Sequence, residues 1–298
     1  MGSGGCLATD AIAPQQGISL PSRPELPRLR DGRHYPLVPS SAAAIALLYV
    51  QVEQALRDPA TPESQLPRLG HQQQVILRRL SRQPAVATTV RTELEPRWRP
   101  VLDRHLVARH SFLAMHRGRP LSKVPAWRIV APAPPETLLR YYRKAEAATG
   151  IPWEVLAAVN LVETGMGRID GISVANAQGP MQFLPSTWSE RGIGKGDIRD
   201  PHDAIQAAAR YLVRRGGLKD IRRGLWGYNN SSHYGEAVLQ YAKLLEEEPL
   251  SFRGLYHWEI HLATSAGDLW LPIGYEQRQP LAVEAYLARM PVSRPLQP

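Results

Sequence analysis

Glu163 closes a short run, Pro152 to Glu163, whose other residues are mostly apolar. Leu156, Val159 and Asn160 stand seven, four and three residues before it and share its helical face. A carboxyl group on such a face has its charged form destabilised, which raises its pKa toward neutrality. A carboxyl that keeps its proton near neutral pH can serve as a general acid, for instance toward a glycosidic oxygen. A single glutamate at a helix end is by itself an ordinary solvated or ion-paired group. Its neighbours must decide which it is.

Three further segments follow it. The first is Gly179-Pro180-Met181-Gln182-Phe183-Leu184-Pro185-Ser186-Thr187-Trp188. The second is a small-residue helix from Asp200 to Leu212, and the third runs from Gly227-Tyr228-Asn229 to Tyr234. Asp197, Asp200 and Asp203 read as loop and N-cap residues ahead of that helix rather than as a second catalytic acid. The nine histidines show no metal-ligand spacing, so neither a metal nor a cofactor is expected. The one cysteine, Cys6, excludes an intramolecular disulfide.

The order and spacing of these segments resemble the soluble lytic transglycosylase family, whose fold is helical and similar to goose lysozyme. In that family a glutamate followed by serine ends the catalytic helix; the matching pair here is Glu163-Thr164. Its Gly-Leu-Met-Gln motif is matched by Gly179-Pro180-Met181-Gln182, and its Ala-Tyr-Asn motif by Gly227-Tyr228-Asn229. The run to Trp188 is similar to actinobacterial-type members. The resemblance covers about residues 136–246. It implies cleavage of peptidoglycan between N-acetylmuramic acid and N-acetylglucosamine, with Glu163 as acid and then base. The muramoyl 6-hydroxyl would attack C1 and give a 1,6-anhydro end, so one carboxylate suffices where most glycosidases use two. Thr164, Gln178, Met181, Gln182, Phe183, Tyr228 and Asn229 are expected to contact the substrate. Within that set, the Gln182 amide and the Met181 backbone would hold N-acetyl or lactyl groups, and Asn229 would orient its loop. Trp188 and Trp226 could stack on sugars, although Trp188 suits the core better. Thr164, Pro180 and Gly227 depart from the family pattern, but none removes a reacting group. A hydrolytic muramidase on the same fold is one alternative, and a non-catalytic peptidoglycan-binding protein is another.

These residues need a helical frame, and the apolar periodicity supplies one. Residues 1–39, rich in Pro, Gly and Arg, read as an extended or disordered lead-in. Residues 40–129 read as a basic helical module, with helices over 40–58, 62–82 and 86–117. Ser40 or Ser41 can cap the first helix. The second places Val75, Ile76 and Leu80 inward and Arg78, Arg79 and Arg82 outward. Pro96 and Pro100 are candidate interruptions of the third. Residues 130–135 form a proline-rich connector. Residues 136–248 are expected to be the helical catalytic domain, without a convincing strand. In residues 249–298 the alternation from Leu255 to Leu262, and Asp268 to Pro272 after a glycine, suggest a hairpin. The fold class expected is therefore mainly α, lysozyme-like, with a basic helical module before it and a short tail after it.

The chain has 298 residues, 43% hydrophobic and 21% charged, which suits a globular protein. No run approaches the roughly 18 apolar residues of a membrane helix. The formal charge is +9, and residues 1–135 carry 18 Lys and Arg against 9 Asp and Glu. The second half is balanced. A basic surface of this kind could dock on an anionic wall polymer or a membrane surface. Nucleic acid is not expected, because no recognition motif accompanies the charge. A monomer in the cell envelope, outside the cytoplasm, is the expectation, although no export signal can be read.

Overall fold

The computed structural model describes residues 18–115 and 120–295; Cys6 lies outside them. The protein is mainly helical, with three small antiparallel ribbons. Helix α1 (Ala42–Arg57) starts where the Ser41 hydroxyl accepts from the Ala44 N–H at 3.3 Å. Helix α2 (Leu66–Leu80) follows a 3-10 turn, and α3 (Pro84–Glu93) comes next. Helix α4 (Arg99–Met115) begins after a second 3-10 turn, Pro96–Trp98. Pro96 and Pro100 therefore open helical segments rather than break one. A first-turn proline gives up an N–H that had no intrahelical partner.

The chain then extends through β1 (Lys123–Val124) and β2 (Arg128–Ile129), so the end of the basic module is not helical. Helix α5 (Pro135–Thr149) leads into α6 (Trp153–Thr164), β3 (Ile169–Asp170) and a one-turn α7 (Pro185–Trp188). Helices α8 (Pro201–Arg214), α9 (Ile221–Tyr228) and α10 (Ser232–Glu247) complete the central region. Strand β3 corrects the expectation of no strand there: Arg128 and Ile129 pair with Asp170 and Ile169. So short a strand leaves no alternating pattern to read.

Helix α11 (Ser251–Tyr256) takes up Leu255 and Tyr256, so the hairpin starts later than the alternation suggests. Strands β4 (Ile260–Thr264) and β5 (Gly267–Leu271) form it, with Ile260 opposite Leu271. The last ribbon pairs β1 with β6 (Leu281–Ala282), ahead of α12 (Val283–Arg289).

One hydrophobic core runs from Ile45 in α1 through Leu156 in α6 to Trp258 beyond α11. Helix α10 packs on both α4 and α6, and α5 packs on α8. Helix α6 has more than one apolar face: every residue from Val155 to Leu161 is buried. A helix apolar all round belongs inside a protein. Fully burying one Val or Leu side chain contributes about 1.5–3 kcal/mol, so α6 holds its last residues in a fixed place.

Helix α2 is unusual in burying four consecutive polar residues, His71, Gln72, Gln73 and Gln74. Their side chains reach α1 and segments outside the helices. Gln72 Nε2 donates to the Leu37 carbonyl at 2.8 Å. Gln74 exchanges two hydrogen bonds with the Glu259 backbone, at 2.8 and 2.9 Å. Gln73 Nε2 donates to Glu53 at 2.9 Å, and Trp258 Nε1 donates to Gln73 at 2.8 Å. Gly70 permits this approach, because a Cβ there would lie 2.5 Å from that of His257. Arg78, expected to face solvent, is buried and ion-paired with Asp268 of β5, which also accepts from Tyr35 and Arg82.

Candidate active site

Glu163 stands one residue before the end of α6. Gly165, Met166 and Gly167 all adopt positive φ, at 61, 65 and 91°, and turn the chain away. Thr164 and Asn160, four residues apart, face the Gly179–Gln182 loop. Thr164 Oγ1 donates to the Pro180 carbonyl at 2.6 Å and accepts from the Gly167 N–H at 3.0 Å. Asn160 Nδ2 donates to the same carbonyl at 2.8 Å, and Tyr142 donates to Asn160 Oδ1 at 2.6 Å. The loop is thereby fastened to the helix that carries the carboxyl.

The loop is tied at every other carbonyl that matters for its shape. Gln178 and Phe183 exchange backbone hydrogen bonds at 2.9 and 3.0 Å and close its base. The Gly179 carbonyl accepts from the backbone N–H and the side-chain amide of Gln182, at 3.1 and 3.0 Å. Tyr228, the last residue of α9, donates to the Met181 carbonyl at 2.7 Å. Gly179 has φ 73°, and a Cβ there would sit 1.9 Å from the Ile198 carbonyl oxygen. Only glycine fits. Gln182 itself adopts φ 49°, a conformation that costs a non-glycine residue about 1–2 kcal/mol. The network around it offsets that cost.

Glu163 is half-buried, and burial pushes its carboxyl pKa up to about 7. Among the described residues the Tyr234 hydroxyl is the group that eases the rise, as a nearby donor that favours the carboxylate. That hydroxyl is buried and meets strict hydrogen-bond geometry with no group among the described residues. The Tyr234 ring lies parallel to Tyr228, 6.2 Å between centroids. The Glu163 charge in turn raises the pKa of both tyrosines, after the larger effect of burial. Among the described residues no second carboxylate and no cation acts on Glu163. A lone acid near half-protonation at neutral pH can both give and take a proton.

The expected contact residues divide into two groups. Thr164 and Met181 are 0% exposed and Phe183 is 3% exposed. Their side chains lie inside the fold, packed beneath the site. Phe183 packs against Trp188, Tyr211 and Tyr228. The Met181 carbonyl is already taken by Tyr228. Gln182 and Gln178 are partly exposed: Gln182 folds its amide nitrogen back on its own loop, and Gln178 accepts from Arg199 at 3.3 Å. Asn229 is exposed past the end of α9, and Trp226, two residues before Tyr228, is 52% exposed.

Tyr234 and Asn160 are the residues that the sequence reading left out of the site. Asn160 carried a signal, as the one polar side chain between Val155 and Val162 of an apolar helix. Tyr234 lies just inside α10, whose N-cap is Ser231, and nothing local marks it. Asp200, His202 and Asp203 bring ligand atoms within 4.8 Å of one another. Those atoms are already engaged. Asp200 caps α8 through the Asp203 N–H, Asp203 accepts from the Asp197 N–H, and the Lys144 ammonium stands 3.0 Å from His202.

Residues 140–245 match the family model described as Transglycosylase SLT domain. The matched segment holds Glu163, the Gly179–Gln182 loop, Tyr228 and Tyr234. It also lies wholly within the helical region from α5 to α10. The match identifies the SLT domain and not its actinobacterial-type subclass. No curated protein and no solved structure matches the chain.

Proposed function

We propose that the protein is a peptidoglycan lytic transglycosylase in which Glu163 performs both proton transfers. The observation that carries this reading is a half-buried carboxyl with a pKa pushed up to about 7 by burial, without a partner acid among the described residues, set inside an SLT domain. Protonated Glu163 gives its proton to the oxygen joining N-acetylmuramic acid to N-acetylglucosamine. The bond from C1 to that oxygen breaks, and the N-acetylglucosamine side leaves as an alcohol. Glu163, now a carboxylate, takes the proton of the muramoyl 6-hydroxyl as that oxygen bonds to C1. The product is a 1,6-anhydro end, no water is consumed, and Glu163 is protonated again. Burial suits the first step by favouring the acid, and Tyr234 suits the second by steadying the carboxylate.

Gln182 Oε1, Gln178 and Asn229 are the partly exposed polar groups assigned to N-acetyl and lactyl contacts, with Trp226 as a sugar platform. Such a substrate places the working protein outside the cytoplasm. No helix among the described residues is long and apolar enough to cross a membrane. Exposed cations of residues 1–135, Arg97 among them, are assigned to docking on anionic wall polymer.

Mass spectrometry of peptidoglycan digests tests the reading. Anhydro-muropeptides are expected from the parent protein and none from Glu163→Gln. Reducing ends in their place indicate a hydrolytic muramidase. Absence of turnover, with equal glycan binding by parent and variant, indicates a non-catalytic binding protein.

A further inference from the structure

Beyond the end of α6 the chain builds a second concave site that the proposed reaction does not use. Segments far apart in sequence wall a cleft of about 590 Å³. They are the lead-in at Asp31 and Arg33, the start of α2 at Arg68, the connector at Pro132, Arg168 after α6, and the stretch after α11 at His257 and Glu259. The volume lies in the range of sites that take organic ligands, about 300–1,000 Å³.

Its two carboxylates are already committed. Asp31 accepts from the backbone N–H and Nε of Arg33, at 2.9 and 2.7 Å. Glu259 binds Arg33 through one oxygen and accepts from Trp270 Nε1 at 3.2 Å through the other. Arg68 is exposed and, among the described residues, donates only to the Asp31 backbone carbonyl, at 3.1 Å. Arg168 is 3% exposed; Nη1 donates to the Gly165 carbonyl at 3.0 Å, Nε is buried with no hydrogen-bond partner among the described residues, and Glu259 acts on it without an ion pair. Its guanidinium lies over the Tyr256 ring at 5.3 Å. A buried cation without a paired carboxylate is unfavourable, and an anion supplied from outside relieves it. His257 is kept neutral at physiological pH by burial and by the nearby Arg168, Arg253 and Arg33. Three arginines against two carboxylates leave one positive charge.

We propose that this cleft binds the free carboxylate of an acidic peptide, with Arg168 and Arg68 as its counter-ions. A single surplus charge suits a monoanionic carboxylate better than a dianionic phosphate. The apolar walls, Pro67, Pro132 and Ile273, suit peptide side chains. Peptidoglycan side peptides have this chemistry, and that choice of source rests on the function proposed above. Arg168 lies five residues after Glu163, so the two are within about 18 Å even for extended chain. A short peptide branching from a glycan held at Glu163 spans that distance.

Calorimetric titration of the full chain tests this, using a synthetic side peptide without sugar, with its carboxylates free or amidated. The free acid is expected to bind at least tenfold more tightly than the amide. Arg68→Gln and Arg168→Gln each lose most of that preference, whereas Glu163→Gln keeps it. Arg68 is exposed, so its variant remains informative if a melting curve shows Arg168→Gln to be unfolded. Equal binding of acid and amide overturns the proposal. So does an unchanged preference in the Arg68 variant, or displacement of the peptide by equimolar inorganic phosphate. Turnover of glycan stripped of its peptides tests Glu163 separately. If the parent fails there while the peptide still binds, the catalytic reading falls and the cleft assignment stands.

Discussion

Replacing Tyr234 by Phe removes the oxygen that, among the described residues, favours the Glu163 carboxylate. Burial sets the carboxyl near 7, and the Tyr234 hydroxyl already lowers it from a higher value. A hydrogen bond to a charged group is worth about 1.5–3 kcal/mol net, and one pKa unit is about 1.4 kcal/mol. The lower half of that range is appropriate, because the hydroxyl does not reach ideal geometry. The Glu163 pKa should therefore rise by about one unit in Tyr234→Phe. The acid must be protonated to act, so the alkaline limb of the kcat/KM profile should move upward from about pH 7 to about pH 8. Release of soluble muropeptides across pH measures the limb, and a carbon-13 titration of the Glu163 carboxyl measures the pKa directly. Tyr228→Phe is the contrast. Its hydroxyl donates to the Met181 carbonyl, so its loss should lower the rate and leave the limb in place. An unmoved or downshifted limb in Tyr234→Phe, with the fold intact, refutes the assignment of Tyr234 as the carboxylate's donor.

Glu163→Gln should stabilise the fold at pH 8, by up to about 3 kcal/mol, and far less at pH 4. The folded pKa of Glu163 lies above its unfolded value, so its contribution is best at low pH and is lost as pH rises from about 4.5 to about 7; urea melts at both pH values measure it. Gly179→Ala should cost about 2–5 kcal/mol, from left-handed strain plus the clash with the Ile198 carbonyl, and abolish turnover; chemical denaturation and the digest assay read the two effects. Asp268→Asn leaves Arg78 buried without its counter-ion and should cost about 3–5 kcal/mol. Arg78 holds the Asp268 pKa well below the usual carboxylate range, so the stabilisation is present above about pH 4 and lost as acid protonates the folded state. A parent melting curve that stays flat on acidification, with no difference from Asp268→Asn, contradicts this.

Much of the frame was legible because periodicity is a local property. Ser41 as a cap, Pro152 before α6 and Gly150 after α5 are readable from their immediate neighbours, since caps and turns are settled within a few residues. The domain that holds Glu163, the Gly179–Gln182 motif and Tyr228 was also legible, because the order and spacing of those residues match a family pattern. Two-residue strands such as β3 were not, because pairing with a distant segment leaves no alternation to see.

The sequence by itself determined that this protein has one carboxylate on an apolar helix, followed by a tetrapeptide and a tyrosine at set distances. It also determined a helical fold class, since apolar spacing near 3.6 admits little else across α5 to α10. Only the tertiary structure decided what those residues do. It turned the side chains of Thr164, Met181 and Phe183 inward, beneath the loop. It brought Tyr234, 71 positions along the chain, to the Glu163 carboxyl. It also drew Arg78, expected in solvent, into the interior against Asp268 of the tail. The physical reason is the same in each case. Burial and ionic partnership depend on which segments meet in space, and a polar residue's type does not say whether its partner will be water or another part of the chain.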